Sequence, residues 1–336
     1  MKLIVTIDTE ADPWKPSWHS EQPVTNIAAL SEVQELFTAH DIRPTYLVDF
    51  PVASSASSVS LLRSFLENGQ CEIGAHCHPW TTPPFEEPCT QKHTMLCNLP
   101  RSLILRKLRS LHHRIIEAFD TVPTSFRAGR WGYSTAVAVC LDKLGYKIDT
   151  SITPLMDWTS LGGPNFSRAL PRPYCFNPDN IFNNALPGRM IEVPATIGLI
   201  RRDLPLMPQW HWRTSQAYSW GFPSIRLLTK LRLLRKVWLS PEVCSSKEMI
   251  ALTKALIQEG APVINLFFHS PTLQPGLTPF TRIQKDKDRF LADLREFLRF
   301  ARSAGCESIT LSEATRVVPR HDNKLAYRNS RLLDQL

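Results

Sequence analysis

Residues 71–80 read Cys71-Glu72-Ile73-Gly74-Ala75-His76-Cys77-His78-Pro79-Trp80, a short apolar run that ends in two histidines one residue apart and is stopped by a proline. In an extended strand residues i and i+2 point to the same side, so the two imidazoles converge where the strand gives out, while Cys77 faces away. Such a pair either supplies two nitrogen ligands to one metal ion or merely caps a loop, because His-x-His carries no diagnostic ligand spacing. What the other strand ends carry decides between the two.

Working outward, apolar β-type runs cover Lys2–Ile7, Pro44–Asp49, Cys71–Ala75, Ser125–Ala128, Lys147–Ile152, Met190–Val193, Pro262–Phe268 and Ser308–Leu311. Helix-period runs cover Ile27–Ala39, Ser57–Glu67, Arg101–Phe119, Ser134–Leu144, Lys247–Glu259 and Lys285–Ser303. Short strands alternating with longer helices predict an α/β fold of parallel strands and crossover helices. Eight such strands fit a complete or distorted (β/α) barrel, whose chemistry belongs at the C-terminal strand ends. Polar groups gather there: the first strand runs into Asp8-Thr9-Glu10, the third into His76 and His78, the fourth into Arg127-Ala128-Gly129-Arg130, the fifth carries Asp149, and the seventh ends at His269.

Composition sets the frame. The 336 residues, 43% hydrophobic, suffice for one large domain over 1–318. The segment 201–244, rich in Trp, Pro and Arg, breaks the alternation and reads as an insertion or lid; the apolar-poor stretch 319–336 reads as a peripheral tail. The first ten residues leave no room for a signal-peptide core, and no run of about eighteen apolar residues exists to span a membrane. The eight cysteines lack CxxC spacing and read as reduced thiols of a cytoplasmic protein. A net charge of +8 suggests an acidic partner surface rather than a nucleic acid. Much of the charge lies in 223–239, where Leu227, Leu228, Leu231, Leu234 and Trp238 share a helical face and basic residues crowd the remainder. Such a helix packs on the body of the protein or makes a peripheral contact with an anionic inner membrane surface.

A hydrolytic metal site needs N or O ligands, a base for the attacking water and an acid for the leaving group. Asp8 and Glu10, at i and i+2, enter one cup, where one can bind metal and the other accept a proton. His76 and His78 supply nitrogens, His269 a proton, Arg127 an orienting cation for a carboxylate, and Asp149 an anchor for an imidazole. Arg127 and Asp149 read equally well as a structural ion pair. Trp80, Trp131, Trp158 and Trp210 offer faces for sugar stacking, or serve as packing.

In motif order over residues 1–315, the chain resembles the NodB-like polysaccharide deacetylases, metal-dependent enzymes on a distorted (β/α) barrel that remove acetyl groups from amino sugars. Thr6-Ile7-Asp8-Thr9-Glu10 is similar to the first motif, which implies Asp8 as general base and Glu10 as metal ligand. Glu72 to His76 resembles the second motif, "FRAGRWG" the third with Arg127 orienting the base, Asp149 the fourth, and Leu266-Phe267-Phe268-His269 the fifth, with His269 as general acid. Two positions depart from the pattern. The second histidine of motif two falls at Trp80, so His78 is expected to replace it, with water or His93 as alternatives, and Gly129 stands for the motif-three proline. The variant resembles a subgroup from bacterial surface-polysaccharide pathways, implying an N-acetylated or lipid-linked sugar, with Trp80, Arg130 and Trp131 beside it, while the His and carboxylate donors suit zinc or another divalent metal. A barrel that binds carbohydrate without turnover, and a hydrolase of a non-sugar amide, are the competing expectations.

Overall fold

The computed structural model describes residues 1–18, 20–184, 188–201 and 234–318. Lys2–Thr9, an apolar run without polar alternation, forms β1 and is buried from Leu3 onward, as a strand covered on both faces must be. It pairs in parallel with β2 (Thr45–Val48) on one side and, on the other, with β11 (Val263–His269) in the register Lys2↔Val263 to Asp8↔His269. The parallel order continues through β3 (Glu72–Cys77), β4 (Ser125–Ala128), β5 (Ile148–Asp149) and β8 (Met190–Glu192). The helices α1 (Leu30–Ala39), α2 (Phe50–Ser54), α3 (Ala56–Glu67), α4 (Arg101–Phe119), α5 (Thr135–Lys143), α6 (Ser246–Gln258) and α7 (Gln284–Ser303) connect and cover the strands.

Strand parity separates the two layers. Leu3, Val5 and Ile7 of β1, with Ile73, Ala75 and Cys77 of β3, join the cluster that includes Leu30, Val33 and Phe37 of α1 and Leu108 and Leu111 of α4. Ile4, Leu47, Ile148 and Ile191 form a second cluster on the opposite, inner face. Because side chains alternate along a strand, Thr6, Asp8, His76 and Arg127 belong with the inner set. No strand pairing joins β8 to β11 among the described residues. Irregular backbone bridges them instead: Thr196 N–H donates to Asn265 O (3.3 Å), and Phe267 N–H to Leu239 O (3.1 Å). The barrel is therefore distorted at one seam.

Several predicted elements shift. The eighth strand shrinks to β12 (Glu307–Ser308), which meets only Lys2 and Leu3 of β1, and the fifth to Ile148–Asp149. A short antiparallel arm, β6 (Tyr174–Asn177) and β7 (Asn180–Asn184), extends the sheet beyond β8. The helix expected over 223–239 is not formed at its C-terminal end. Leu234–Trp238 is instead β10, antiparallel to β9 (Ile197–Arg201), with Leu234 and Val237 buried and Arg235 exposed. An apolar run of that length fits either period, and the pairing partner decided it. Residues 223–233, with the basic face read there, Trp210 and the tail 319–336 lie outside the described residues. Among the described residues no helix is long and apolar enough to cross a membrane.

The buried stripe of α4, at helical spacing from Leu103 to Ile115, contains Lys107. Its ammonium donates to the carbonyls of Pro79 (2.9 Å), Thr82 (2.7 Å) and Pro84 (2.8 Å) and pairs with Glu87 at 2.8 Å. It pins the loop that follows β3 and carries Trp80. Lys107→Met should therefore cost about 3–5 kcal/mol, the penalty for breaking a buried ion pair on one side, read as a lowered urea midpoint at unchanged m-value.

Candidate active site

The inner strand ends open into a cavity of about 390 Å³ whose lining includes Asp8, Glu10, His76, His78 and His269. Glu10 leaves β1 just past its last paired residue, and its N–H donates to Ser270 Oγ (3.1 Å), which ties it to the residue after His269. Its Oε2 lies 2.6 Å from His78 Nε2 and 3.3 Å from His76 Nε2, and the two histidine nitrogens are 3.0 Å apart. All three residues are buried. Tetrahedral zinc, with N and O ligands at about 2.0–2.1 Å, separates its donors by roughly 3.3 Å, so this donor set fits one ion with a small outward adjustment. His76 Nδ1 sits 3.1 Å from Arg127 O, which leaves Nε2 with its lone pair toward the same point. Two imidazole nitrogens and a carboxylate oxygen converging on one point are the donors that a divalent cation satisfies.

The two histidines are held differently. Among the described residues no hydrogen-bond partner reaches His78 Nδ1; packing positions the ring instead, with Trp80 at 4.2 Å between centroids. On its other side lies Gly129, where a Cβ would come within 2.2 Å of His78 Nδ1 and 2.8 Å of Cys77 O. The two departures from the family pattern are thus one structural fact, since the ring of His78 fills the space that any side chain at 129 would need.

Beside the donor set sit two ion pairs. Arg127 Nη1 donates to Asp8 Oδ1 at 2.5 Å, while Asp8 Oδ2 is 3.5 Å from His269 Nε2. Burial pushes the Asp8 carboxyl up, but Arg127, His76 and His269 together outweigh it and hold it below its usual range. Glu10 behaves likewise: burial opposes ionisation, and hydrogen bonds from His76 and His78 more than reverse it. His269 Nδ1 lies 3.0 Å from Glu242 Oε2, and Thr272 donates to Glu242 Oε1 at 2.6 Å. Burial would lower the His269 imidazole, yet Glu242 and then Asp8 raise it to about 10.

Asp149, read as an anchor for an imidazole, is not brought to the cavity. Its neighbour Ile148 is on the inner face, so Asp149 points outward, its Oδ1 accepting from Ser151 Oγ (2.7 Å). There it meets the equally buried Glu192. Burial raises both, Asp149 to about 6 and, with the Asp149 charge beside it, Glu192 well above the carboxylate range. The imidazole anchor is instead Glu242: 27 positions from His269 and within the segment 201–244, it has no local sequence pattern to mark it. Asp49 is likewise unmarked. It caps α2, accepts from the N–H groups of Val52 (2.9 Å) and Ala11 (3.0 Å), and burial raises it to about 7 on the cavity wall. Trp80, Arg130 and Trp131 all line the cavity, as does Trp158.

No protein-family model and no curated protein matches this sequence. Solved structures do resemble it. A Mycobacterium smegmatis protein assigned as a polysaccharide deacetylase superposes with a TM-score of 0.54 at 12% identity, over 96% of this chain and 93% of that one. The chain has the NodB-like deacetylase fold. A Parabacteroides distasonis protein assigned as a glycoside hydrolase/deacetylase gives a TM-score of 0.56 at 10% identity, over 94% of this chain and 71% of that one. A GH57 branching enzyme of Thermococcus kodakaraensis gives 0.51 at 11% identity, over 94% and 70%. Since the NodB-like fold is thus similar to that of a branching enzyme, the mouth residues and not the fold must carry any argument about chemistry.

Gly129→Ala should displace His78 and weaken any divalent-metal binding at this donor set by about ten- to a hundredfold, the usual effect of disturbing a ligand's support, measured by chelator competition with the fold checked by circular dichroism. In metal-free protein the His269 resonances should titrate near pH 10, and in Glu242→Gln at lower pH. Because the folded value exceeds the ordinary 6.5, this protonation stabilises the fold fully below pH 6.5 and the contribution is lost as pH rises through about 10. Glu242→Gln should flatten that alkaline loss in a series of urea melts.

Proposed function

We propose that the chain is a metal-dependent N-deacetylase of an amino sugar in a bacterial surface polysaccharide or glycolipid precursor. The observation that carries this reading is the convergence, at one cavity, of a Glu10–His76–His78 donor set with an Asp8–Arg127 pair and a His269–Glu242 pair. A divalent metal held by Glu10, His76 and His78, zinc being the ion that such donors commonly hold in hydrolases, would acidify a water and polarise the acetamido carbonyl.

The protein's own groups supply the proton chemistry. Asp8, ionised and fixed through Oδ1 by Arg127, has Oδ2, 3.5 Å from His269 Nε2, to take a proton from the attacking water. His269, protonated through Glu242, delivers a proton to the departing amine nitrogen. The tryptophans of the wall, Trp80, Trp131 and Trp158, suit the apolar faces of a pyranose ring. That base, ligands and acid all share one cavity favours turnover over a barrel that only binds, and the aromatic wall favours a sugar over another amide.

We further propose that 201–244 is an insertion on a single domain. Its described end, through Trp238 and Glu242, forms cavity wall. All eight cysteines are free, which suits a reducing compartment. The reading is therefore of a cytoplasmic enzyme, meeting a lipid-linked substrate at the inner membrane surface.

Metal analysis followed by acetate release from a panel of N-acetylated glycans tests the reading. Glu10→Ala and His76→Ala should lose bound metal. Asp8→Asn and His269→Ala should keep it and lose about a hundredfold to ten-thousandfold in rate. His78→Ala should lower metal affinity as much as His76→Ala. Metal loss in Asp8→Asn would reverse the assignment of base and ligand.

A further inference from the structure

One charged group of the cavity has no task in this chemistry. Arg130 lines the cavity, its Nε is buried without an acceptor, and among the described residues its guanidinium forms no ion pair or hydrogen bond. The acids around the same cavity are engaged elsewhere. Asp8 faces Arg127 and His269, Glu10 faces His76 and His78, Asp49 accepts from backbone N–H groups, and Glu242 holds His269 and Thr272. Arg130 thus shares the cavity wall with Trp80, Trp131 and Trp158 without an acid of its own, and partial burial works against its charge. The backbone is also constrained to place it there. Arg130 (φ 54°) and Trp131 (φ 58°) are consecutive non-glycine residues in the left-handed region, which L-residues avoid and which strained functional sites retain.

We propose that Arg130 is the recognition point for an anionic group, carboxylate or phosphate, on the sugar bound in this cavity. The proposal rests on the deacetylase reading for the sugar. A guanidinium offers paired N–H donors matched to either anion, whereas a neutral sugar offers it no charge to pair with. The net charge of +8 would favour the approach of such a ligand.

The test is calorimetric titration of the full chain, zinc-loaded and metal-free, with four probes: N-acetylglucosamine, its 1-phosphate, its 6-phosphate, and N-acetylgalactosaminuronic acid. At least one anionic probe should bind about ten- to a hundredfold more tightly than the neutral sugar, as a hydrogen bond to a charged group predicts. Which one does so distinguishes phosphate from carboxylate. Arg130→Gln should abolish the preference and Arg130→Lys should keep part of it. Arg130→Gly, which relieves the left-handed strain and so preserves folding, should behave like Arg130→Gln. Equal binding of neutral and anionic probes by the wild type, or a preference that survives in Arg130→Gln and Arg130→Gly, overturns the proposal. Acetate release is measured on the same probes. An Arg130-dependent preference without acetate release upholds the anion site and removes the deacetylase reading; acetate release with no preference does the reverse.

Discussion

The ion pair between Arg127 and Asp8 is the contact on which the mouth of the barrel depends. Arg127 is fully buried, and a guanidinium removed from water is tolerated only when its donors are met. They are met by Asp8 Oδ1, by Thr6 Oγ1 (2.7 Å) and by Thr150 O (3.0 Å), with Trp131 and Phe267 over the planar faces. Asn265 closes the circuit by accepting from Thr6 and donating to Thr150 (3.0 and 2.8 Å). One side chain from β4 thereby fixes β1, the end of β5 and β11, across the seam that no strand pairing closes.

The same pair sets the electrostatics. Asp8, Glu10, Asp49, Asp149 and Glu192 are all buried, yet they divide into two groups. Burial raises every one; Asp8 and Glu10 end below the carboxylate range because Arg127 and the histidines face them, whereas the other three, facing no comparable cation, end above it. Of these five, the two held below their usual range, Asp8 and Glu10, both lie on the inner face of the strand ends, where a cation could be held and a proton moved.

Much of this was legible in the sequence. Apolar runs gave seven strands and six helices near their observed positions, because burial on both faces and a 3.6-residue period leave direct marks in composition. Strand ends gave Asp8, Glu10, His76, His78, Arg127 and His269, because an i, i+2 pair or a terminal polar residue at the end of a parallel strand has few places to point. Asp149 failed by a single step of parity. The run Lys147–Ile152 shows that a strand is there but not which of its faces turns inward, and that choice rests on pairing with β4 and β8.

By itself, then, the sequence determined the alternating parallel architecture and the residue types that gather at its C-terminal mouth, since both follow from local period and from where apolar runs stop. Only the tertiary structure decided the contacts between distant segments. Glu242 reaches His269 from a loop with no pattern of its own, Leu234–Trp238 becomes a strand because Ile197–Arg201 offers it an edge, and Gly129 yields its side-chain volume to the ring of His78. Each depends on packing between residues far apart in the chain, which neither periodicity nor spacing encodes.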